Sequence, residues 1–202
     1  MLKNSIITLL LFASFGLTHP NTTSKYKTGD VIFQTSTSTQ SNAIQRATKS
    51  TYSHCGIIVK IGIELVVYEA VKPVKITPFK QWVNHGVKSK YVVKRIKKRD
   101  SYFTKNHELI FINNLNKQLN KHYDIYFNWS DDQLYCSELV WKVYLNTFNL
   151  ELGSLQKLKE FDLTDPKVAT IVKARYGTKI PLEEPVISPI RIFESDLLEI
   201  VQ

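Results

Sequence analysis

The sequence predicts an α+β domain: a small antiparallel sheet packed against several helices. Three observations carry that prediction. Two β-rich runs flank Gly62, a further run at "YVVKRIK" alternates apolar and basic residues, and three longer stretches carry apolar residues at helical spacing. In chain order, "TGDVIFQT" starts at a turn and continues as a short strand. The stretch from Thr35 to Gln40 is rich in Ser and Thr, good helix caps, so "SNAIQRATKS" follows as a helix of two or three turns. "YSHCGIIVKIGIELVVYEAV" forms a hairpin about Gly62, and "YVVKRIK" adds another strand. "TKNHELIFINNLNKQLNKHY" places Leu109, Ile112, Leu115 and Leu119 on one helical face, with Thr104 as its cap. Cys136 to Phe148 forms a second long helix, with Leu139, Val140, Val143 and Tyr144 as its stripe. "DPKVATIVKARYG" is a third, with Pro166 near its start and Gly177 as a natural stop. The spaced prolines of the tail, Pro181, Pro185 and Pro189, argue for extended, non-helical chain.

A chain of 202 residues with 43% hydrophobic and 22% charged residues has enough apolar matter for one ordinary domain with a core, and disorder is excluded as its main state. The first residues, "MLKNSIITLLLFASFGLTHP", have Lys3 at a positive start, an apolar run from Ile6 to Phe12 broken by Thr8, and small residues at Ala13, Ser14 and Gly16. That is the layout of a secretory signal, with an uncleaved N-terminal anchor as the other reading. The expectation is residues 1–20 as signal peptide or anchor and 21–202 as one exported domain, periplasmic or secreted. The net charge is +9, with one dense basic run at "VVKRIKKR", Val92 to Arg99. Such a run either attracts an anionic partner such as an envelope polymer or is a solvated face. No zinc-finger spacing or aromatic-glycine stacking motif accompanies it, so nucleic acid is not an expected partner. The two cysteines, Cys55 and Cys136, form no C-x-x-C or His/Cys ligand spacing, so neither a metal nor an organic cofactor is expected. A disulfide between them and two free thiols both fit the composition.

The stretch "DQLYCSELVW" raises the chemical question. A helix that begins near Cys136 puts its thiol at a helix N-terminus, where unpaired N–H groups and the positive end of the dipole favour a thiolate. The same N–H groups can hold an oxyanion. Such a nucleophile needs a base with an orienter. The hairpin offers His54 on its first strand and Glu69 on its second. A turn centred between Ile61 and Gly62 makes them direct cross-strand neighbours, and a shift of two leaves them diagonal on the same face. Glu69 lies on the apolar strand "LVVYEAV", and a buried carboxylate needs a partner. Cys55 alternates to the opposite face, which points to packing rather than chemistry. His85 precedes a glycine turn, and His107 and His122 fall on polar helix positions.

These residues resemble a known family. "YCSELVW" is similar to the nucleophile motif of NlpC-type cysteine peptidases, which have a papain-like fold. The order is permuted, since His54 and Glu69 precede Cys136. With "GDVIF", "YSHCGIIV", "VVYEAV" and "YDIYFNWSDDQLYCSELVWKVY", the chain from about Gly29 to its end resembles the YiiX/YebB-like permuted NlpC-type hydrolases. The resemblance implies a circularly permuted papain-like fold with Cys136 as nucleophile, His54 as general base and Glu69 as orienter. Tyr135 replaces the acidic residue before the cysteine and Glu138 the glycine two residues after it, so γ-glutamyl cell-wall specificity is not carried over. The lecithin:retinol acyltransferase-like proteins share the permuted order and act on lipid acyl esters; their Asn-Cys-Glu-His motif is missing here.

The expected function is a cysteine hydrolase that cleaves an amide in a peptide, amino-acid conjugate or lipid-derived component of the envelope. The backbone N–H of Cys136 is one expected oxyanion donor, with Gln34 or Tyr135 as candidates for the second, and the aromatic segment from Tyr123 to Trp129 is a candidate pocket wall. Two alternatives stay open: a lipid acyltransferase or thioesterase, and a non-enzymatic module that binds an anionic polymer through the basic run.

Overall fold

The computed structural model describes residues 25–38 and 40–201. The expected signal or anchor, residues 1–20, lies outside them. The elements are β1 (Val31–Gln34), α1 (Ser41–Thr48), β2 (His54–Ile61), β3 (Glu64–Glu69), β4 (Lys75–Pro78), α2 (Phe79–Asn84), β5 (Val92–Ile96), α3 (Arg99–Tyr102) and α4 (Lys105–Asn116). They continue with β6 (His122–Tyr123), β7 (Gln133–Leu134), α5 (Cys136–Phe148), β8 (Gln156–Lys157), α6 (Pro166–Tyr176), β9 (Pro185–Val186), α7 (Pro189–Phe193) and β10 (Leu198–Ile200). Among the described residues no helix is long and apolar enough to cross a membrane.

One antiparallel sheet organises the chain, in the strand order β10-β5-β1-β2-β3-β4. Its central strands are buried on both faces, and alternation sorts their side chains into two layers. Val31, Phe33, Cys55 and Ile57 face the larger core, shared with Leu139, Val140 and Val143 of α5 and with Phe111 and Leu115 of α4. Ile32, Ile58 and Val67 face the smaller layer, closed by Trp82 of α2 and by Val93. The stripe expected on the Cys136 helix is therefore the surface that binds it to the sheet.

Local signals held where they were strong. Thr104 caps α4 by accepting from the His107 N–H, and Asp165 caps α6 with Pro166 at its first turn and Gly177 at its end. Four expectations shift. The α1 helix starts after Gln40, which makes no side-chain cap, rather than after a Ser or Thr. His122 lies on the short strand β6, not on a helix. The tail is not wholly extended, because Pro189 opens the short helix α7, where its missing N–H is no loss. The β2–β3 turn is centred between Gly62 and Ile63, one residue later than the tightest alternative, with Ile61 opposite Glu64 and Ile57 opposite Tyr68. Gly62 takes φ +61° there, the left-handed conformation that glycine adopts without penalty.

Candidate active site

The later turn shifts the hairpin register by two, so Glu69 stands opposite position 56 and diagonal to His54 on the same face. Residue 56 is glycine, and this decides whether the diagonal can be crossed. A Cβ there would lie 2.6 Å from Val67 Cγ1, 2.8 Å from the Tyr68 carbonyl and 3.6 Å from Glu69 Cβ. With that space empty, Glu69 reaches His54, and the imidazole Nε2–H donates to Glu69 Oε2 at 2.7 Å. Thr77 on β4 donates its hydroxyl to the other oxygen, Oε1, at 2.6 Å. The Trp82 ring stacks on the imidazole with centroids 5.7 Å apart, covering the pair from the smaller layer. With Nε2 bound to the carboxylate, Nδ1 is the ring nitrogen left for Cys136, whose nearness helps to raise the imidazole.

Cys136 is the first residue of α5, after Tyr135 as N-cap in extended conformation. The Glu138 carboxylate reaches back to the Tyr135 N–H at 3.4 Å and pairs with Lys142 Nζ at 2.8 Å. Burial pushes the Glu138 carboxyl up to about 7 against the pull of Lys142. Glu138 therefore has a structural role at the start of the helix, which accounts for a buried acid where related motifs carry glycine.

The titration of the centre follows from its neighbours. The Cys55 thiol, the His54 imidazole and the Cys55 backbone beside it hold the Cys136 thiol well below its ordinary value, although burial opposes this. Burial alone would lower His54, but hydrogen bonds and charge from Cys136 and Glu69 raise it to about 10. Burial raises Glu69 too, and the His54 contact outweighs it, leaving the carboxyl below its usual range. These shifts favour an imidazolium–thiolate pair with a carboxylate behind the imidazolium.

The structure thus brings Cys136, His54 and Glu69 together, and it adds Cys55. The expected alternation is correct: Cys55 faces away from the His54 side of the sheet. That opposite face is the one on which α5 lies, so alternation carries Cys55 to Cys136. Both cysteines are free thiols. Burial and the Cys136 charge push the Cys55 thiol well up, so it stays a protonated donor.

The two oxyanion candidates lie in different places. Gln34 pairs with His54 across β1 and β2, buried on the His54 face with its Oε1 against Gly86, and its amide has no hydrogen-bond partner among the described residues. Tyr135 is buried, and its hydroxyl accepts the Ile187 N–H at 3.1 Å. Two other polar groups stand at the Cys136 end of a large cleft. Gln40, just before α1, donates from Nε2 to the Tyr123 hydroxyl at 3.3 Å. Burial and the nearby Cys136 charge push the Tyr123 hydroxyl well up, keeping it a neutral donor. Gln40 had no signal in the sequence. Its position comes from the docking of α1, which the buried Ser41–Ser53 hydroxyl pair at 2.6 Å ties to the start of β2. Of the aromatic segment from Tyr123 to Trp129, Tyr123 and Phe127 line the cleft, while Trp129 packs edge-on against Trp141.

A thiol at a helix N-terminus, facing an imidazole and carboxylate on a sheet that precedes it in the chain, is the arrangement of a papain-like hydrolase with permuted order. Comparison with known proteins gives the family. Residues 25–202 match the permuted papain-like amidase enzymes, YaeF/YiiX, C92 family, and the chain belongs to that family. It is 46% identical over 200 residues to the uncharacterized protein YiiX of Escherichia coli (strain K12), covering 99% of this chain and 96% of that protein. The crystal structure of the metalloprotein YiiX from Escherichia coli O157:H7 matches it with a TM-score of 0.83 at 48% identity, covering 88% of this chain and 97% of that one.

Proposed function

We propose that the protein is a cysteine amidase in which Cys136 attacks the carbonyl carbon, His54 transfers the proton and Glu69 orients His54. The observation that carries this reading is the hydrogen-bonded line from Thr77 through Glu69 to His54, with Cys136 at the start of α5 close enough to raise the imidazole. The Cys136 thiolate forms the S–C bond, and the amide C–N bond breaks as His54 gives its proton to the leaving amine. Water then attacks the thioester, His54 takes its proton, and the acid leaves with the thiolate restored. The Cys136 N–H, at the first position of α5, supplies one oxyanion donor. Gln40 and the Tyr123 hydroxyl, at the same end of the cleft, are the better placed side chains for the second.

The Escherichia coli relative is described as a metalloprotein. Among the described residues of this chain no group of three or more His, Cys, Asp or Glu side chains is arranged to hold a metal ion. Residues 1–20 are proposed to export the chain, which the N-terminal sequence of protein recovered from outside the cytoplasm checks. The enzymatic reading is tested by alkylating Cys136 across pH in the wild type and His54→Ala. A thiolate that forms well below the ordinary value of about 8.5 and moves up without His54 supports it. An ordinary thiol indifferent to His54 overturns it. On any amide that is turned over, His54→Ala is expected to cost about a hundred- to ten-thousand-fold in kcat.

A further inference from the structure

Cys55 is a buried nucleophilic group that the proposed chemistry leaves unused. It follows His54 on β2, and strand alternation turns its side chain to the face on which α5 packs. Cys136 opens α5, and both cysteines sit in one continuous core with Phe33, Ile57, Leu139 and Val140. The two thiols are neighbours in that core, and both are free.

The two sulfurs differ in what can reach them. Cys136 lines the cleft between α1, α6 and β9, which is apolar along walls such as Ala43, Val168 and Val186, so a small molecule in the cleft meets this sulfur. Cys55 is fully buried and does not line the cleft. They differ in state as well. The Cys136 thiol is held well below its ordinary value, whereas burial pushes the Cys55 thiol well up. A peroxide therefore oxidises Cys136 and leaves Cys55 reduced beside it. A thiolate with no thiol at hand passes from sulfenic to sulfinic and sulfonic acid as further peroxide arrives, and the last two are irreversible. A thiol already packed against the sulfenic acid reacts within the molecule, an advantage that dissolved peroxide lacks.

We infer that Cys55 is a resolving thiol for Cys136: hydrogen peroxide or another small hydroperoxide converts Cys136 to a sulfenic acid, and Cys55 condenses with it to an internal disulfide that blocks the site reversibly. In the first step the Cys136 sulfur attacks one peroxide oxygen. An S–O bond forms, the O–O bond breaks, the sulfur is oxidised, and the other oxygen leaves as water after taking the His54 proton. In the second step the Cys55 sulfur attacks the Cys136 sulfur. The S–S bond forms, the S–O bond breaks, and the hydroxyl leaves as water with the Cys55 proton. A small dithiol reverses the change by two thiol–disulfide exchanges and is itself oxidised to a disulfide. The inference rests on the proposed role of Cys136 for its effect on activity, whereas formation of the bond needs no turnover.

Reduced full-length protein, as wild type, Cys55→Ser, Cys55→Ala and Cys136→Ser, is treated with increasing hydrogen peroxide and read by intact mass and by mapping of the cysteine peptides. The wild type is expected to lose about 2 Da, with the Cys55 and Cys136 peptides linked, and to regain both thiols with dithiothreitol. Without Cys55, Cys136 is expected to carry about tenfold more sulfinic and sulfonic acid at the same dose, which dithiothreitol does not remove. In Cys136→Ser, Cys55 should stay a free thiol. The resolving role is overturned by Cys136 that is overoxidised alike with and without Cys55, by a bond between two chains, or by wild type that keeps both thiols throughout. A linked, reversible pair in a protein that turns over no amide keeps the disulfide and removes the amidase reading. Amide turnover by the reduced protein, lost to peroxide with no internal disulfide, keeps the amidase reading and overturns the inference.

Discussion

At Cys136, the proposed nucleophile, the thiol has a second thiol as well as a histidine for a neighbour. The Cys55 side chain, together with the His54 contact, lowers the Cys136 thiol. Cys55→Ala should therefore move the alkylation midpoint of Cys136 up, while Cys55→Ser, which keeps a donor, should restore much of the shift. Equal midpoints in all three proteins would reduce Cys55 to filler. The pH profile of kcat/KM has a stated sign. Activity needs the thiolate and the imidazolium together, so it rises at a pH well below the ordinary thiol value and falls as His54 loses its proton near about 10. Glu69→Gln removes the carboxylate that favours the imidazolium and leaves Cys136 a weaker cation beside it. The alkaline limb should move down and the acid limb up, narrowing the profile, as a rate–pH series on the two proteins would read directly.

At the level of elements, the β2–β3 hairpin acts as the arm that holds base and carboxylate in register. Its critical position is Gly56, where a methyl group would press on Val67 and on the Tyr68 carbonyl. Gly56→Ala is expected to cost about 1–3 kcal/mol in chemical denaturation, as overpacking does. It should cost more in activity than His54 and Glu69, both intact, would suggest, because β3 must move away. Adding Val67→Ala relieves the side-chain clash but not the carbonyl, so rescue should be partial. The α1 helix is held by the Ser41–Ser53 pair, and it carries Gln40 to the nucleophile. Ser53→Ala should cost about 1 kcal/mol of stability, with a fall in kcat if Gln40 contributes to the oxyanion site and none if it does not.

Across the whole molecule, the basic run from Lys94 to Arg99 turns partly inward, with Lys97 and Lys98 left exposed. Lys94 is buried with its ammonium over the Phe193 ring and donating to the Phe193 carbonyl. Arg95 binds the fully buried Asp30 through two hydrogen bonds, at 2.6 and 2.7 Å, and Arg99 caps the Thr28 carbonyl while lying over Phe103. These cations fasten β5 to the start of β1 and to α7, which weakens the polymer-binding alternative that the run suggested. Asp30→Ala leaves Arg95 without its carboxylate and should cost about 3 kcal/mol in denaturant unfolding. A loss below about 1 kcal/mol would show the pair to be behaving as a surface bridge.

The sequence by itself determined what local rules can reach. The helix that starts at Cys136, its apolar stripe, the Thr104 cap, the Pro166–Gly177 helix and the sharing of one face by His54 and Glu69 all follow from periodicity, capping and strand alternation within some twenty residues. The shift of two in register, one of the alternatives the hairpin left open, preserved the face, because a strand repeats every second residue. Tertiary structure decided the rest. Alternation said that Cys55 faces away from His54, but only the docking of α5 on that face made it a neighbour of Cys136. Gln40 beside Tyr123, 83 residues apart, and the apolar cleft between α1, α6 and β9 join distant segments, and no local pattern encodes which surfaces meet. The inward use of the basic run was hidden for the same reason: a charge written in a sequence does not say which buried carboxylate or carbonyl will face it once the chain has packed.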